Sequence, residues 1–172
     1  VAVDRIRLAA AKNERVLVWG DFDVDGQTST TILVTAFREL GLDVSYHIPL
    51  RESEGHGIHI PTLERLLGGI DLVITCDTGI DASAAVQFIR SRGVDVIITD
   101  HHELPEVLPE GAVAMINPHF LPDDHPLATL PGCGVAYKLA EALLTEDRYR
   151  ETCQSLLDLT ALGLVADVAD LR

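Results

Sequence analysis

Short apolar runs alternate along the chain with stretches whose apolar residues recur every three or four positions. The runs have the length and composition of buried strands, and they fall at 15–19, 43–48, 71–76, 94–99 and 112–116. The helical spacing predicts helices over 27–40, 61–67, 81–92, 134–145 and about 151–166. Strands that alternate with helices are typical of βαβ units, so the sequence predicts an α/β fold with a mostly parallel five-stranded sheet flanked by helices.

The composition is that of one globular domain. The chain has 172 residues, of which 47% are hydrophobic and 23% charged, which is enough for a substantial core. Its apolar runs are shorter than the roughly 18 residues that span a membrane, and its N-terminus lacks a secretory pattern. Three widely spaced cysteines, Cys76, Cys133 and Cys153, indicate free thiols in a reducing, cytoplasmic setting.

The net charge limits the kinds of partner that the protein is expected to bind. A formal charge of −14 argues against a broad surface that docks nucleic acid by charge alone, because such a surface needs a basic footprint. The same charge leaves open an acidic site that binds cations.

Acidic and imidazole side chains follow three of the five predicted strands. In open α/β sheets, ligands bind outside the carboxyl ends of the strands, so these side chains are expected to meet at one edge. Each group alone has an ordinary explanation, because turns and helix N-caps favour Asp. Their convergence favours a functional site. The residues are Asp21, Asp23 and Asp25 after the first strand, Asp77 after the third, and Asp100, His101 and His102 after the fourth.

Divalent metal ions would explain why so many like charges are crowded together. Carboxylates are the ligands that Mg²⁺ and Mn²⁺ prefer, and a histidine shifts the choice toward Mn²⁺. Two such ions a few ångströms apart can clamp a phosphoryl group, provided that one carboxylate bridges them. Asp77 is the candidate for the bridge because its strand is predicted to be central.

Four segments, in order, resemble the motifs of the DHH phosphoesterase family, and within it those of the RecJ-type single-strand-specific exonucleases. They are GDFDVDGQTS, DTGI, ITDHHE and ALGLVADV. The connecting segments ESEGHG, INPH and GCGVAYKLA are also similar to those of the RecJ type. The resemblance covers nearly the whole chain and implies a Rossmann-like DHH domain.

The resemblance implies a set of metal ligands. Asp23 and Asp25 would bind one ion each, and Asp77 would bridge the two ions. His101 and Asp167 would complete the shell of the second ion. Asp167 enters this set through the resemblance alone, because its position near a helix end has an ordinary structural explanation.

Further roles follow from the same motifs. Asp77, His101 and His102 are the residues implied to be catalytic, with His102 contacting the scissile phosphate or orienting the site. Asp100 would support the two histidines. Asp21 is expected to be structural.

Two positions at the expected rim qualify this assignment. Many family members carry a histidine four residues before the first ligand, where this chain has Trp19, so a thinner shell is expected around the first ion. Arg51 is expected either to contact a phosphate of the substrate, together with His102, or to be an ordinary solvated side chain.

The resemblance implies an exonuclease that depends on two Mn²⁺ or Mg²⁺ ions, hydrolyses phosphodiester bonds of single-stranded DNA with 5′→3′ polarity, and contacts single-strand-binding or replication and repair proteins. Residues 1–172 would be its catalytic domain, and a second, substrate-binding domain would lie elsewhere. A phosphodiesterase of oligonucleotides or cyclic dinucleotides, a pyrophosphatase, and a replication scaffold without catalysis remain alternatives.

Overall fold

The computed structural model describes residues 1–170 and contains a five-stranded sheet whose strands are all parallel. In chain order the strands are β1 (Arg15–Trp19), β2 (Asp43–His47), β3 (Leu72–Cys76), β4 (Asp95–Thr99) and β5 (Ala114–Ile116). Their spatial order is β2-β1-β3-β4-β5. The predicted fold class and all five strands are therefore confirmed, and β3 occupies the centre of the sheet as predicted.

Helices cover both faces of the sheet. They are α1 (Ala2–Lys12), α2 (Val24–Glu39), α3 (Ile60–Leu66), α4 (Ser83–Ser91), α5 (Gly132–Leu143) and α6 (Arg150–Ala166), with short 3₁₀ turns at Pro118–Phe120 and Asp147–Tyr149. One apolar cluster joins α1, α2, α5 and α6 to the sheet, and the other joins α3 and α4 to the opposite face. Alternate residues of β1 serve the two clusters: Val16 and Val18 face the first, Leu17 and Trp19 the second.

Two helices differ from the sequence-based expectation. The apolar pattern does not predict α1, because only Ala2, Ile6 and Ala9 of its eleven residues are buried and the apolar stripe is narrow. Helix α2 begins at Val24, three residues earlier than expected, because the side chain of Asp23 accepts a hydrogen bond from the N–H of Gly26 and caps the helix. Among residues 1–170, no helix has the length and apolarity needed to cross a bilayer.

Candidate metal centre

The C-terminal edge of the sheet collects the acidic side chains. Strands β1, β3 and β4 are adjacent and parallel, and the acidic segments begin within two residues of their ends. Side chains that are separated by more than 50 residues in sequence therefore meet above the middle of the sheet. Four of the carboxylates at this edge are shielded from solvent: Asp21, Asp25, Asp77 and Asp100 are each at most 5% exposed.

Asp77 lies at the centre of this edge in a strained conformation. Its φ is 59°, in the left-handed region that a residue other than glycine seldom adopts. Its Oδ1 has no hydrogen bond that meets the geometric criteria among the described residues, although Nε2 of His101 forms an ion pair with it at 3.1 Å. A Cβ atom on Gly132 would lie 2.7 Å from that same oxygen, so glycine is required where α5 approaches Asp77.

Among residues 1–170, three overlapping groups of side chains have the geometry to hold a metal ion. Within each group, the candidate ligand atoms all lie within 4.8 Å of one another. Asp77 is shared by two groups and His101 by two, so the groups form one continuous cluster. The groups are Asp21 with Asp23 and Asp77, Asp77 with His101 and His102, and Asp25 with His101 and Asp167.

The first turn of α5 fixes Asp25 in this cluster. The N–H groups of Gly132 and Cys133 donate to its two carboxylate oxygens at 2.7 and 2.8 Å. A helix N-terminus presents unpaired N–H groups and favours a negative charge, so this contact is stabilising. Oδ2 of Asp25 also lies 3.7 Å from Nε2 of His101, which places the carboxylate within reach of a shared ion.

Asp100 organises both histidines. Its Oδ1 accepts hydrogen bonds from the backbone N–H groups of His101 and His102 and lies 2.7 Å from Nδ1 of His102, while its Oδ2 accepts the N–H of Ile80. The amide of Asn117 donates to the carbonyl oxygen of His102 at 2.9 Å. These contacts orient the imidazole of His102 and hold the backbone of His101, which is the supporting role expected of Asp100.

The enclosed charges shift several pKa values. Burial, reinforced by the negative charge of Asp25, raises the pKa of Asp77 to about 7. The hydrogen bond to Asp100 raises the pKa of His102 to about 9, so this imidazole carries a positive charge at neutral pH. Burial raises the pKa of Asp167 as well. Raised carboxyl pKa values are expected at a cation site when no cation is present, because nothing then balances the negative charges.

Arg51 lies at the rim rather than in the cluster. Its guanidinium stands 5.1 Å from the ring centroid of Phe22, and both residues border an open groove of about 610 Å³ that also touches Asp23. The ring of His56 packs on Phe22 at 4.4 Å, and its Nδ1 lies 3.6 Å from Oδ2 of Asp21. The rim thus carries two exposed cationic or aromatic side chains beside the acidic cluster.

Trp19 is turned away from the metal cluster. It is fully buried in the apolar cluster beneath α3 and α4, and its indole N–H donates to the carbonyl oxygen of Gly57 at 3.2 Å. Its ring also packs on His47, with 4.6 Å between the ring centroids. Trp19 therefore takes a packing role where many family members carry a histidine.

The structure brings together every side chain that the sequence analysis assigned to the metal site, and it adds others. Asp21, which is expected from the sequence to be structural, forms one of the candidate metal-binding groups with Asp23 and Asp77. The alternation of Asp21 with Asp23 in the sequence could have indicated that Asp21 is a ligand. The contacts of Gly132 and Asn117 with the site join residues far apart in sequence, so no local pattern indicates them.

The fold and the site define an α/β domain with a candidate two-metal centre at the C-terminal edge of its sheet. The sequence model of the DHH family, N-terminal domain, matches residues 15–164. The chain belongs to the DHH family.

Exonucleases are among the similar proteins. The single-stranded-DNA-specific exonuclease RecJ of Bacillus subtilis is 39% identical over 172 residues, which cover 99% of this chain and 21% of that protein. A solved structure of exonuclease RecJ bound to manganese is 35% identical with a TM-score of 0.85, covering 98% of this chain and 42% of that one. RecJ of Thermus thermophilus, in complex with Mn²⁺, is 32% identical with a TM-score of 0.79, covering 98% and 24% of the two chains. The chain spans only about a fifth of the length of the Bacillus subtilis relative.

Proposed function

We propose that this chain is the catalytic domain of a metal-dependent exonuclease that hydrolyses phosphodiester bonds of single-stranded DNA, with 5′→3′ polarity. The observation that carries the proposal is the continuous cluster of carboxylates and imidazoles around Asp77, in which the ligand atoms of each group lie within 4.8 Å of one another. The similar proteins named above are single-stranded-DNA exonucleases, and two solved relatives are bound to manganese, which supports this activity over that of other phosphoesterases.

The residues present fit two divalent ions. The donors are carboxylate oxygens and imidazole nitrogens, which suit Mn²⁺ and Mg²⁺, and Oδ1 of Asp77 is a buried acceptor without a hydrogen bond among the described residues. Bound ions would activate water and stabilise the leaving oxygen of the phosphodiester. We assign Asp77 as the bridge, and as the other ligands Asp23, Asp25, His101 and Asp167, with Asp21 as an additional candidate beside Asp23.

Side chains around the ions would bind the phosphates of the substrate. His102 is positively charged at neutral pH because Asp100 raises the pKa of its imidazole, so it can donate a hydrogen bond to an oxygen of the scissile phosphate. Arg51 is exposed on the groove that borders Asp23, where a phosphate of the DNA strand would meet its guanidinium. These two cations offset part of the repulsion between the acidic edge and the DNA.

The rest of the DNA-binding surface is assigned to other parts of a longer protein. The formal charge of −14 offers little electrostatic attraction to DNA outside the site, and the RecJ relatives are about three to five times longer than this chain. We infer a second, substrate-binding domain in the full protein. We also propose that the full protein is cytoplasmic and acts in DNA repair and recombination, with single-strand-binding or replication and repair proteins as partners.

A Mn²⁺ titration of this chain, counting bound ions by calorimetry and electron paramagnetic resonance, tests the metal centre directly. We expect two ions in the natural chain and the loss of at least one in Asp77→Asn. The exposed Asp158→Asn on α6 is the matched control, since it removes the same charge away from the site. Failure to bind Mn²⁺ at millimolar concentration would refute the proposal and favour a scaffold.

The substrate class needs a separate assay on the full-length protein. Long single-stranded DNA, duplex DNA, dinucleotides and cyclic dinucleotides would be compared with Mn²⁺ present. We expect single-stranded DNA to be degraded to mononucleotides and the duplex to be resistant. Cleavage confined to the short substrates would instead identify an oligonucleotide or cyclic-dinucleotide phosphodiesterase.

A further inference from the structure

The segment between β2 and α3, residues 48–59, carries both rim side chains and is called here the rim loop. It lacks regular secondary structure. Gly55 and Gly57 flank His56 with φ angles of 71° and 80°, conformations that suit glycine and leave the tip intrinsically free to move. Something must therefore hold the loop if Arg51 and His56 are to stand beside the acidic cluster.

A buried carboxylate ties the loop to the body of the domain. The side chain of Glu54 is only 8% exposed although it lies in a surface loop. Both of its oxygens lie 3.2 Å from Nε2 of His47, the last residue of β2, and its Oε2 accepts the backbone N–H of Leu50 at 2.7 Å. The Glu54 N–H in turn donates to the Leu50 carbonyl at 2.8 Å, which closes the turn that contains Arg51.

The other side of Glu54 faces the start of α3. Nδ1 of His59 lies 3.9 Å from Oε1 of Glu54 and 3.0 Å from the hydroxyl oxygen of Thr62. Burial alone would raise the pKa of Glu54, but hydrogen bonds from Thr62, Leu50 and His47 lower it. The carboxylate is therefore ionised in place, and both ends of the loop converge on it.

We propose that Glu54 is a positioning residue that holds the rim loop so that Arg51 and His56 can engage the DNA strand. The proposal rests on the proposed exonuclease function, because it assigns the loop a substrate that this function supplies. Glu54 lies outside the three candidate metal groups, so its contribution is separable from that of the ions. Trp19 assists from the far end of the loop through its hydrogen bond to Gly57.

The decisive variants are Glu54→Ala and the isosteric Glu54→Gln in the full-length protein, with Glu52→Ala as the matched control. Glu52 is an exposed acid in the same loop, so the control removes the same charge without the anchor. We expect Glu54→Ala to raise KM for single-stranded DNA about tenfold, the loss expected when hydrogen bonds to a charged group are removed. The value of kcat and the Mn²⁺ stoichiometry should stay near those of the natural protein, and Glu54→Gln should recover part of the affinity.

Hydrogen exchange distinguishes a loss of rim-loop positioning from a general loss of folding. Amide exchange should quicken at residues 50–57 in Glu54→Ala, while α2, α5 and the sheet keep their protection. An unchanged KM together with unchanged exchange would overturn the proposal, as would a loss of Mn²⁺ binding or of folding in both Glu54 variants. If the natural protein neither binds nor cleaves single-stranded DNA, the exonuclease assignment fails, and that failure is visible before any variant is compared.

Discussion

Carboxylates crowd both ends of the parallel sheet, but the two ends balance them in different ways. At the N-terminal edge, Arg5 donates to Glu14 at 2.6 Å and to Asp95 at 2.7 Å, and Arg90 also contacts Asp95. At the C-terminal edge, the buried carboxylates of the described residues form ion pairs with histidines, at 2.7 to 3.7 Å. The first edge is neutralised by the chain itself, whereas the second remains in excess of negative charge.

The pKa values show what this difference means. Burial alone would raise the pKa of Asp95, but the hydrogen bonds from Arg5 and Arg90 lower it below its ordinary value. At the other edge, burial raises the pKa of Asp77 to about 7. One aspartate is stabilised as an anion by fixed partners, and the other is costly as an anion until a cation arrives. The contrast separates a structural use of acidic residues from a proposed functional one.

The substitution Asp77→Asn should give the largest effect on activity. It removes the proposed bridge between two ions, so we expect the rate of single-stranded DNA cleavage to fall about a thousandfold. Thermal unfolding of the metal-free protein should show equal or greater stability, because burial and the charge of Asp25 disfavour the ionised carboxylate of Asp77 more than His101 stabilises it, and the amide is neutral. Near-normal cleavage would show that Asp77 does not bridge.

Asp100→Asn should have an intermediate effect. Asp100 holds the imidazole of His102 and the backbone N–H groups of both histidines, and loss of such a supporting group typically costs about 10- to 100-fold in activity or metal affinity. Without the negative charge, the pKa of His102 should fall from about 9 toward its ordinary value. The alkaline limb of the variant's pH–rate profile should therefore shift to lower pH. An unchanged alkaline limb would mean that His102 is not the group that titrates there.

The pH dependence of Mn²⁺ affinity gives a smaller and graded effect. An ion must displace the proton that Asp77 retains below a pKa of about 7, so the apparent affinity for Mn²⁺ should weaken about tenfold per pH unit below that value.

The stability of the metal-free protein should change with pH in the sense opposite to that caused by an aspartate whose pKa is lowered on folding. The pKa of Asp77 in the folded protein lies above the ordinary value of 3.8, so the metal-free protein should lose stability as the pH rises from about 4 to about 7. Titrations at about pH 5.5, 6.5 and 7.5, with Asp77→Asn as control, check both trends.

The sequence predicts well which side chains meet at the C-terminal edge, because most of them lie close to strand ends. Asp23, Asp25, Asp77 and His101 each follow a buried apolar run within a few residues, and parallel strands bring such positions together. Asp167 has no such signal, since it ends helix α6 and reaches the cluster through packing of that helix. Its place among the candidate ligands could be predicted only by resemblance to a family.

The parts that the sequence does not predict depend on tertiary contacts. Helix α1 is fixed to the sheet by Arg5, whose partner Asp95 is 90 residues away. The role of Glu54 needs His47 and His59 from two different elements to be close at once. Neither feature produces a periodic pattern, so composition and spacing carry no information about them.

Asp95→Asn tests the other half of the comparison and should have the smallest effect on catalysis. The variant leaves Arg5, which is 11% exposed, without one of its two anionic partners, so we expect the free energy of unfolding to fall by about 2 kcal/mol. Cleavage rate and Mn²⁺ stoichiometry below the unfolding temperature should stay within about twofold of the natural protein, because distant sites contribute independently. Chemical denaturation and activity would be measured side by side with Asp77→Asn. If Asp95→Asn lost activity without losing stability, the two edges of the sheet would be coupled, and the division between structural and functional carboxylates would not hold.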